Sequence, residues 1–212
     1  MQKTTAELTQ EYIKEHFDVK SCLKKGIINY SALARLIGKE LKIEKQSSKE
    51  AILVAAVRMQ KLLEKEAGIE KKVKELLSKS ETEIKNKIVA LTLEKDADFE
   101  KIQGLQKKIL QDSGCFYLIQ GSNSNTIITQ QNYLEAINAK LKHDIIKERQ
   151  NLVLINFKTP KEIEQTTGAI YYITSMFAEN NVNIVEFISC WTDTILVIDS
   201  KDLSKAINFI KF

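Results

Sequence analysis

The sequence predicts an α+β protein in which a helical module precedes two similar units of strands and helices. Apolar residues recur at helical spacing through residue 67, and strand-like and helical segments alternate after residue 87. The order strand, helix, strand, strand, helix then occurs twice, and a chain of 212 residues has room for several small domains. The predicted division is a helical domain over residues 1–67, a linker helix over 68–86, and βαββα units over 87–150 and 151–212.

Capping signals support the helical module. Thr4-x-x-Glu7 and Ser47-x-x-Glu50 are capping boxes, in which a hydroxyl and a carboxylate satisfy backbone N–H groups at a helix start. Asn29 or Ser31 can cap a helix between them, and a short helix precedes it. Four helices in this length, with a capped helix crossing its neighbour, are typical of a helix-turn-helix-like bundle.

The two βαββα units are related by a nearly constant offset along the chain. Ile88 and Leu152 begin equivalent strands, and Tyr133 and Leu203 begin equivalent helices at a similar separation. Such offsets indicate a structural duplication. Chain-crossover rules place the helices of each unit on one face of a small sheet, which is the ferredoxin-like arrangement, and residues 144–150 could add an edge strand.

The residue types that most catalytic and metal sites use are scarce. His16 and His143 are the two histidines, the three cysteines are far apart, and the sequence has no nucleophile elbow or phosphate-binding glycine loop. Carboxylates at Asp96, Asp98 and Glu100 are better explained by the dipole of the helix that they open. We therefore expect no enzyme, no metal and no cofactor.

Charge leaves two possibilities for the helical module. Residues 1–85 carry a net charge of +5 and residues 86–212 a net charge of −1. This excess fits nucleic-acid binding, for which the candidate residues at the start of the last long helix are Ser47, Ser48, Lys49 and Arg58. It equally fits an ordinary solvated surface on a bundle that binds a protein or is structural, because no set of base-reading side chains shares one helix face.

The sequence predicts no membrane association. Its longest apolar run, residues 51–57, is far shorter than the roughly 20 residues of a spanning helix, and the segment MQKTTAELTQ lacks the apolar core of a signal peptide. We expect a cytoplasmic protein.

The second βαββα unit resembles a known family. Residues 167–189 resemble an ACT domain, in which a glycine opens the first helix and an Asn-Ile pair enters the second strand. Residues 190–198 are similar to the hairpin and third strand of aspartokinase-type ACT domains. With the phrase at residues 23–35, the whole chain resembles archaeal proteins described as predicted regulators of amino-acid metabolism that contain an ACT domain.

The resemblance implies a site for a small amino acid, bound where two ACT units pair side by side, and hence a homodimer. Gly168 has no Cβ and lets a ligand approach the backbone N–H groups of a helix start, which suit a carboxylate. Many family members have proline where this chain has Thr167. The implied ligand-binding residues are Thr167, Gly168, Ala169, Ile170, Asn183 and Ile184.

The first unit departs from this pattern. Its equivalent helix opens with Lys95-Asp96-Ala97-Asp98, which lacks the glycine and carries two negative charges. We therefore expect a degenerate ACT-like unit here and at most one competent site per chain.

Together these features favour a non-enzymatic, amino-acid-responsive regulator whose helical module binds DNA or a protein. Two alternatives remain open at this point. The chain could be a regulatory subunit that docks on an amino-acid biosynthetic enzyme, or a structural adaptor whose ACT units dimerise without a ligand.

Overall fold

A computed structural model describes residues 3–45, 47–64 and 68–210. The chain divides into two compact units, residues 1–72 and residues 73–212. The predicted boundary between residues 67 and 68 adjoins residues 65–67, which lie outside the described residues. No described helix is long and apolar enough to cross a membrane.

Among the described residues, four complete helices lie in the first unit. They are α1 (Thr5–Glu15), α2 (Phe17–Lys24), α3 (Tyr30–Glu40) and α4 (Lys49–Glu64). The predicted capping box at Thr4 and Glu7 is present in both directions, and Asn29, rather than Ser31, caps α3 by accepting from the Ala32 N–H at 3.0 Å. One face of each helix enters a common core, formed by Tyr12, Ile13, Leu23, Leu33, Ala34, Ile37, Ile43, Ile52, Ala56, Met59 and Leu63.

The second unit is an antiparallel six-stranded sheet with helices, which confirms the predicted α+β class. After α5 (Gly68–Leu77), its elements are β1 (Glu81–Glu94), α6 (Phe99–Gln111), β2 (Phe116–Gln120), β3 (Ser124–Gln130), α7 (Leu134–Leu141), β4 (Ile145–Lys158), α8 (Ala169–Glu179), β5 (Ile184–Cys190), β6 (Asp193–Asp199) and α9 (Leu203–Phe209). The strand order is β2-β3-β1-β4-β6-β5.

Two long central strands join the predicted units into one sheet. The second half of β1 pairs with β3, and the second half of β4 pairs with β6, while β1 and β4 pair with each other along most of their length. The first half of each strand therefore completes the neighbouring unit. This corrects two predictions, since residues 81–86 are strand rather than linker helix, and residues 144–150 supply most of the first half of β4 rather than a separate edge strand.

A bulge interrupts each central strand at an equivalent place. The β1–β4 register shifts between Lys85 and Ile88 and again between Ile88 and Ala90. Lys87 and Asn151, which hold equivalent positions in the two halves, both have a φ of 55°, in the left-handed region that side chains disfavour. Bulges increase local twist and bend the strand that carries them. The two halves of the sheet are therefore related by an approximate two-fold with a bend at its centre.

Helices cover one face of the sheet in both halves. The core under α6 and α7 contains Val89, Leu91 and Leu93 of β1. The core under α8 and α9 contains Val153, Ile155 and Phe157 of β4, and the end of α5 joins it through Val73, Leu76 and Leu77.

The other face of the sheet buries a separate apolar cluster to which no described helix contributes. Its buried members are Ile88, Ala90, Cys115, Ile128, Leu152, Leu154, Ile195 and Val197. These side chains are buried although the cluster contains no residue of a described helix.

Burial is the main reason that the pKa of Tyr117 on β2 is raised, and the Asp193 carboxylate adds to the rise.

The strain at Lys87 predicts opposite effects for one substitution at two sites. Lys87→Gly should stabilise the protein by about 0.5–1 kcal/mol, because glycine adopts a φ of 55° without steric cost. Lys147→Gly, at an exposed residue of β4, should destabilise by a similar amount because glycine weakens a strand interior. Urea denaturation measures the free energy of unfolding of the two variants. A loss of stability in Lys87→Gly would contradict the assignment of backbone strain to Lys87.

Removal of the Glu186 carboxylate should stabilise the protein by an amount that depends on pH. Burial raises the pKa of this carboxyl on β5, and the opposing attraction of Arg149 and Lys147 does not cancel the rise. Ionisation therefore costs stability once the pH exceeds the ordinary glutamate pKa of about 4.3, and the full cost is present above the raised value. Glu186→Gln should match the wild type near pH 3.5 and exceed its stability at pH 7. Glu81→Gln, at an exposed residue of β1, controls for loss of one charge.

Candidate functional site

The start of α8 is open in a way that depends on Gly168. Gly168 has a φ of 86° and precedes the helix without supplying a side-chain cap. The Ala169 N–H is bonded to the Thr166 carbonyl at 3.2 Å, and the first helical bond runs from the Tyr172 N–H to the Gly168 carbonyl at 2.9 Å. Within the described part of the chain, the Ile170 N–H has no acceptor. Contrary to the sequence expectation, Ala169 is thus not free to bind a ligand through its N–H.

A surface cavity of about 410 Å³ adjoins this helix start. Its walls come from the turn before α8, the first turn of α8, and the end of β5. They are formed by Ile163, Glu164, Thr166, Gly168, Ala169, Ile170, Tyr171, Ser189 and Trp191.

The β5–β6 hairpin presents Trp191 at the cavity. Trp191 lies in the turn with a φ of 50° and is 65% exposed. The next residue is fixed, because the Thr192 carbonyl accepts from both the N–H and the hydroxyl of Thr159 at 2.8 Å. The large indole therefore stands on an anchored turn with most of its surface in solvent.

The equivalent helix in the other half of the sheet closes its own start. Asp98 stands at the position equivalent to Gly168 and caps α6 by accepting from the N–H groups of Glu100 at 3.1 Å and Lys101 at 3.2 Å. The hydrogen bond from the Lys101 N–H is the main reason that the pKa of Asp98 is lowered. A permanent carboxylate thus occupies in α6 the position that a ligand carboxylate would need.

The structure brings together only part of the predicted ligand site. Gly168, Ala169 and Ile170 line the cavity, whereas Thr167 is exposed beside it without lining it. Asn183 and Ile184 lie at the opposite end of β5, because Ile184 pairs with Ile198 while Cys190 pairs with Asp193. The strand between Ile184 and Ser189 spans about 17 Å, so one chain does not place Asn183 in the cavity.

Six cavity residues were missed in the sequence. They are Ile163, Glu164, Thr166, Tyr171, Ser189 and Trp191. The Ser189 and Trp191 positions follow from the hairpin register, in which Ser189 pairs with Thr194 and returns the chain to the start of α8. In the sequence, the hairpin turn at residues 191–192 was the signal from which the positions of Ser189 and Trp191 could have been predicted.

Thr194 pairs with the cavity residue Ser189 in the β5–β6 ladder. It is fully buried, and its hydroxyl oxygen has no hydrogen-bond partner among the described residues. Directly paired residues of an antiparallel ladder share a face, so Thr194 lies on the same face as Ser189.

In the helical module, the structure engages two of the four predicted nucleic-acid-binding residues internally. Ser47 Oγ lies 2.6 Å from Thr5 Oγ1, and Ser48 Oγ accepts from the Ala51 N–H at 3.1 Å. Ser48, rather than Ser47, is thus the residue whose side chain caps α4. Lys49 and Arg58 are exposed.

Among the described residues no group of three or more His, Cys, Asp or Glu side chains could hold a metal ion. Cys22, Cys115 and Cys190 are free thiols.

Comparisons with known proteins address the fold. No protein-family model matches the sequence, and no curated protein matches it. The structure is similar to that of aspartate kinase from Clostridium acetobutylicum, described as an allosteric enzyme, with 15% identity and a TM-score of 0.50. That match covers 61% of this chain and 33% of the kinase, so it spans about a third of the kinase's length.

A second similar structure is the ligand-free regulatory subunit of aspartate kinase from Thermus thermophilus. It has 12% identity and a TM-score of 0.47, and the match covers 61% of this chain and 92% of the subunit. At these identities the likeness to the Clostridium kinase shows a shared α+β fold.

The unpartnered hydroxyl of Thr194 predicts an unusual substitution. Thr194→Val keeps the shape of the side chain and removes a polar group that makes no bond, so stability should stay the same or rise by about 1 kcal/mol. Thr129→Val is the matched control, because its buried hydroxyl donates to the Cys115 carbonyl at 2.7 Å. The control should lose about 1 kcal/mol. Denaturant unfolding compares them, and an equal loss at both positions would show that Thr194 has a partner.

Proposed function

We propose that this protein is an amino-acid-responsive regulator with one ligand site per chain, at the start of α8. The observation that carries the proposal is the contrast between two equivalent helices. α6 is capped by its own Asp98, whereas α8 begins at Gly168 with no cap and opens on a cavity. A duplicated helix that keeps its start unsatisfied beside a cavity is suited to an external anion.

The cavity has the groups that an amino acid needs at both of its charged ends. The Ile170 N–H and the positive end of the α8 dipole suit the ligand carboxylate. Glu164, in the turn before α8, suits the ammonium group. Trp191 and Ile163 offer apolar surface to a small side chain, and 410 Å³ lies within the roughly 300–1,000 Å³ of small-molecule sites.

A second copy of the chain would complete this site. β5 is an edge strand, and Phe187 on it and Tyr171 on α8 are exposed. Antiparallel pairing of two β5 strands centred on Phe187 would place Asn183 of a second copy opposite Trp191. This arrangement gives Asn183 and Ile184 the ligand-binding role that one chain does not allow, and it makes the protein a homodimer.

Regulation requires that the ligand favour one state of the protein over another. The shared fold with an aspartate kinase described as allosteric is compatible with this role. We assign the output to the helical module, acting on DNA. The alternative is a regulatory subunit that docks on a biosynthetic enzyme. A third interpretation is a dimerisation adaptor that binds no ligand, and a thermal shift in the experiment below would contradict it.

The proposal predicts a selective thermal shift. One or a few of the twenty amino acids should stabilise the protein, by about 2.7 kcal/mol at 100 times the dissociation constant. Gly168→Asp installs at α8 the carboxylate that caps α6 and should abolish the shift, as should Gly168→Val. Asp98→Gly makes the reciprocal change in α6 and should keep the shift.

The controls separate folding from binding. Circular dichroism and the melting temperature without ligand show whether each glycine variant folds. If no amino acid at millimolar concentration stabilises the wild type, or if Gly168→Asp folds and keeps the full shift, the site is not at α8.

A further inference from the structure

The positive charge of the helical module is concentrated in one segment. Residues 19–49 contain eight Lys or Arg and two Asp or Glu, a net charge of +6. Residues 1–18 have two basic and four acidic residues, a net charge of −2. The positive excess of the amino-terminal part of the chain therefore lies between α2 and the start of α4.

Four basic residues that succeed one another at intervals of three or four form what we call the basic ridge. They are Arg35, Lys39, Lys42 and Lys45. All four side chains are exposed, and none forms an ion pair with a carboxylate of the described residues. One of the two carboxylates in the segment has a partner of its own, since Glu40 accepts from the Tyr12 hydroxyl at 2.7 Å.

The first half of the ridge is a helix face. Arg35 and Lys39 occupy positions i and i+4, so they lie one turn apart on the side of α3 opposite Leu33 and Ile37, which are buried in the core. The rise between them is about 6 Å.

The second half of the ridge is a fixed loop. The Ile43 N–H donates to the Gly38 carbonyl at 3.0 Å and the Ser47 N–H donates to the Ile43 carbonyl at 2.8 Å, while the Ile43 side chain is buried. This is the backbone pattern that ends helices with a left-handed residue, usually glycine. Here that residue is Lys42, with a φ of 55°. A lysine thus occupies a strained position where glycine would be easier.

Repeated, unneutralised cations on a fixed support are suited to a polyanion with closely spaced charges. Duplex DNA carries one negative charge per about 1.7 Å of its axis. The ridge carries no aromatic side chain of the kind on which single-stranded bases stack. The hydroxyl groups of Ser47 and Ser48, which follow the ridge in the sequence, form hydrogen bonds within the module. They are therefore not available to contact the edges of DNA bases.

We propose that the basic ridge binds the phosphate backbone of duplex DNA without reading its sequence. The ridge replaces the predicted set of Ser47, Ser48, Lys49 and Arg58 as the main contact. This assignment names the partner of the helical module in the proposed regulator, and it does not depend on the cavity at α8.

Salt dependence of binding tests the proposal. The full chain is titrated with a fluorescent DNA duplex of arbitrary sequence at several low salt concentrations. Four phosphate contacts give a slope of log K against log salt of about −3.6. The triple variant Lys39→Gln, Lys42→Gln, Lys45→Gln should weaken binding at least about 10-fold at low salt and bring the slope up by about 2.7.

A matched triple variant controls for net charge. Lys107→Gln, Lys108→Gln and Lys140→Gln remove the same charge from exposed positions of α6 and α7, and this variant should keep the affinity and the slope. Equal losses in both variants would show diffuse attraction and overturn the ridge.

Three further results would overturn the proposal. They are no duplex binding by the wild type at low salt, tighter binding to a single strand of the same length, and complete competition by polyglutamate at equal charge. The last would assign the ridge to an acidic protein. Duplex binding without any amino-acid thermal shift would support the ridge and contradict the ligand site, so the two failures are distinguishable.

Discussion

The pairing of β1 with β4 is the constraint on which the sheet-bearing unit depends. Each strand runs through both halves of the sheet, and each half is incomplete without the first part of the other half's central strand. The bulges at Lys87 and Asn151 bend both strands at equivalent points. Both strands contribute to the apolar clusters on the two faces of the sheet, so neither half can be removed without opening an apolar core.

The same duplication supplies a comparison inside the molecule. Two equivalent helices, α6 and α8, leave the sheet at the same place in each half, and a helix start needs partners for its first N–H groups. α6 meets this need with Asp98, whereas α8 begins at Gly168 and leaves the Ile170 N–H to the cavity. A single residue at the helix start thus separates a closed half from an open one. The two halves of the sheet therefore share a fold and differ in the group that meets the first N–H groups of the helix.

Local signals predicted much of this structure. The caps at Thr4 and Asn29, the helices that follow them, and the repeated order of strands and helices depend on residues close in sequence, whose preferences act within one or two turns. The length of β1 and β4 was not predictable in the same way. Their first halves are rich in charged residues and lack a simple apolar alternation, because each pairs on one side only in the other half of the sheet and exposes many side chains there.

The candidate site was likewise predictable from sequence only in its local part. Sequence alone determined that the chain turns at Gly168 and begins a helix there, since a left-handed residue without a Cβ is a local requirement. Only the tertiary structure decided that Ser189 and Trp191 stand beside that turn and that Asn183 lies at the opposite end of β5. The physical reason is strand register. Pairing of β5 with β6 fixes which end of β5 meets the start of α8, and register depends on contacts between distant parts of the chain.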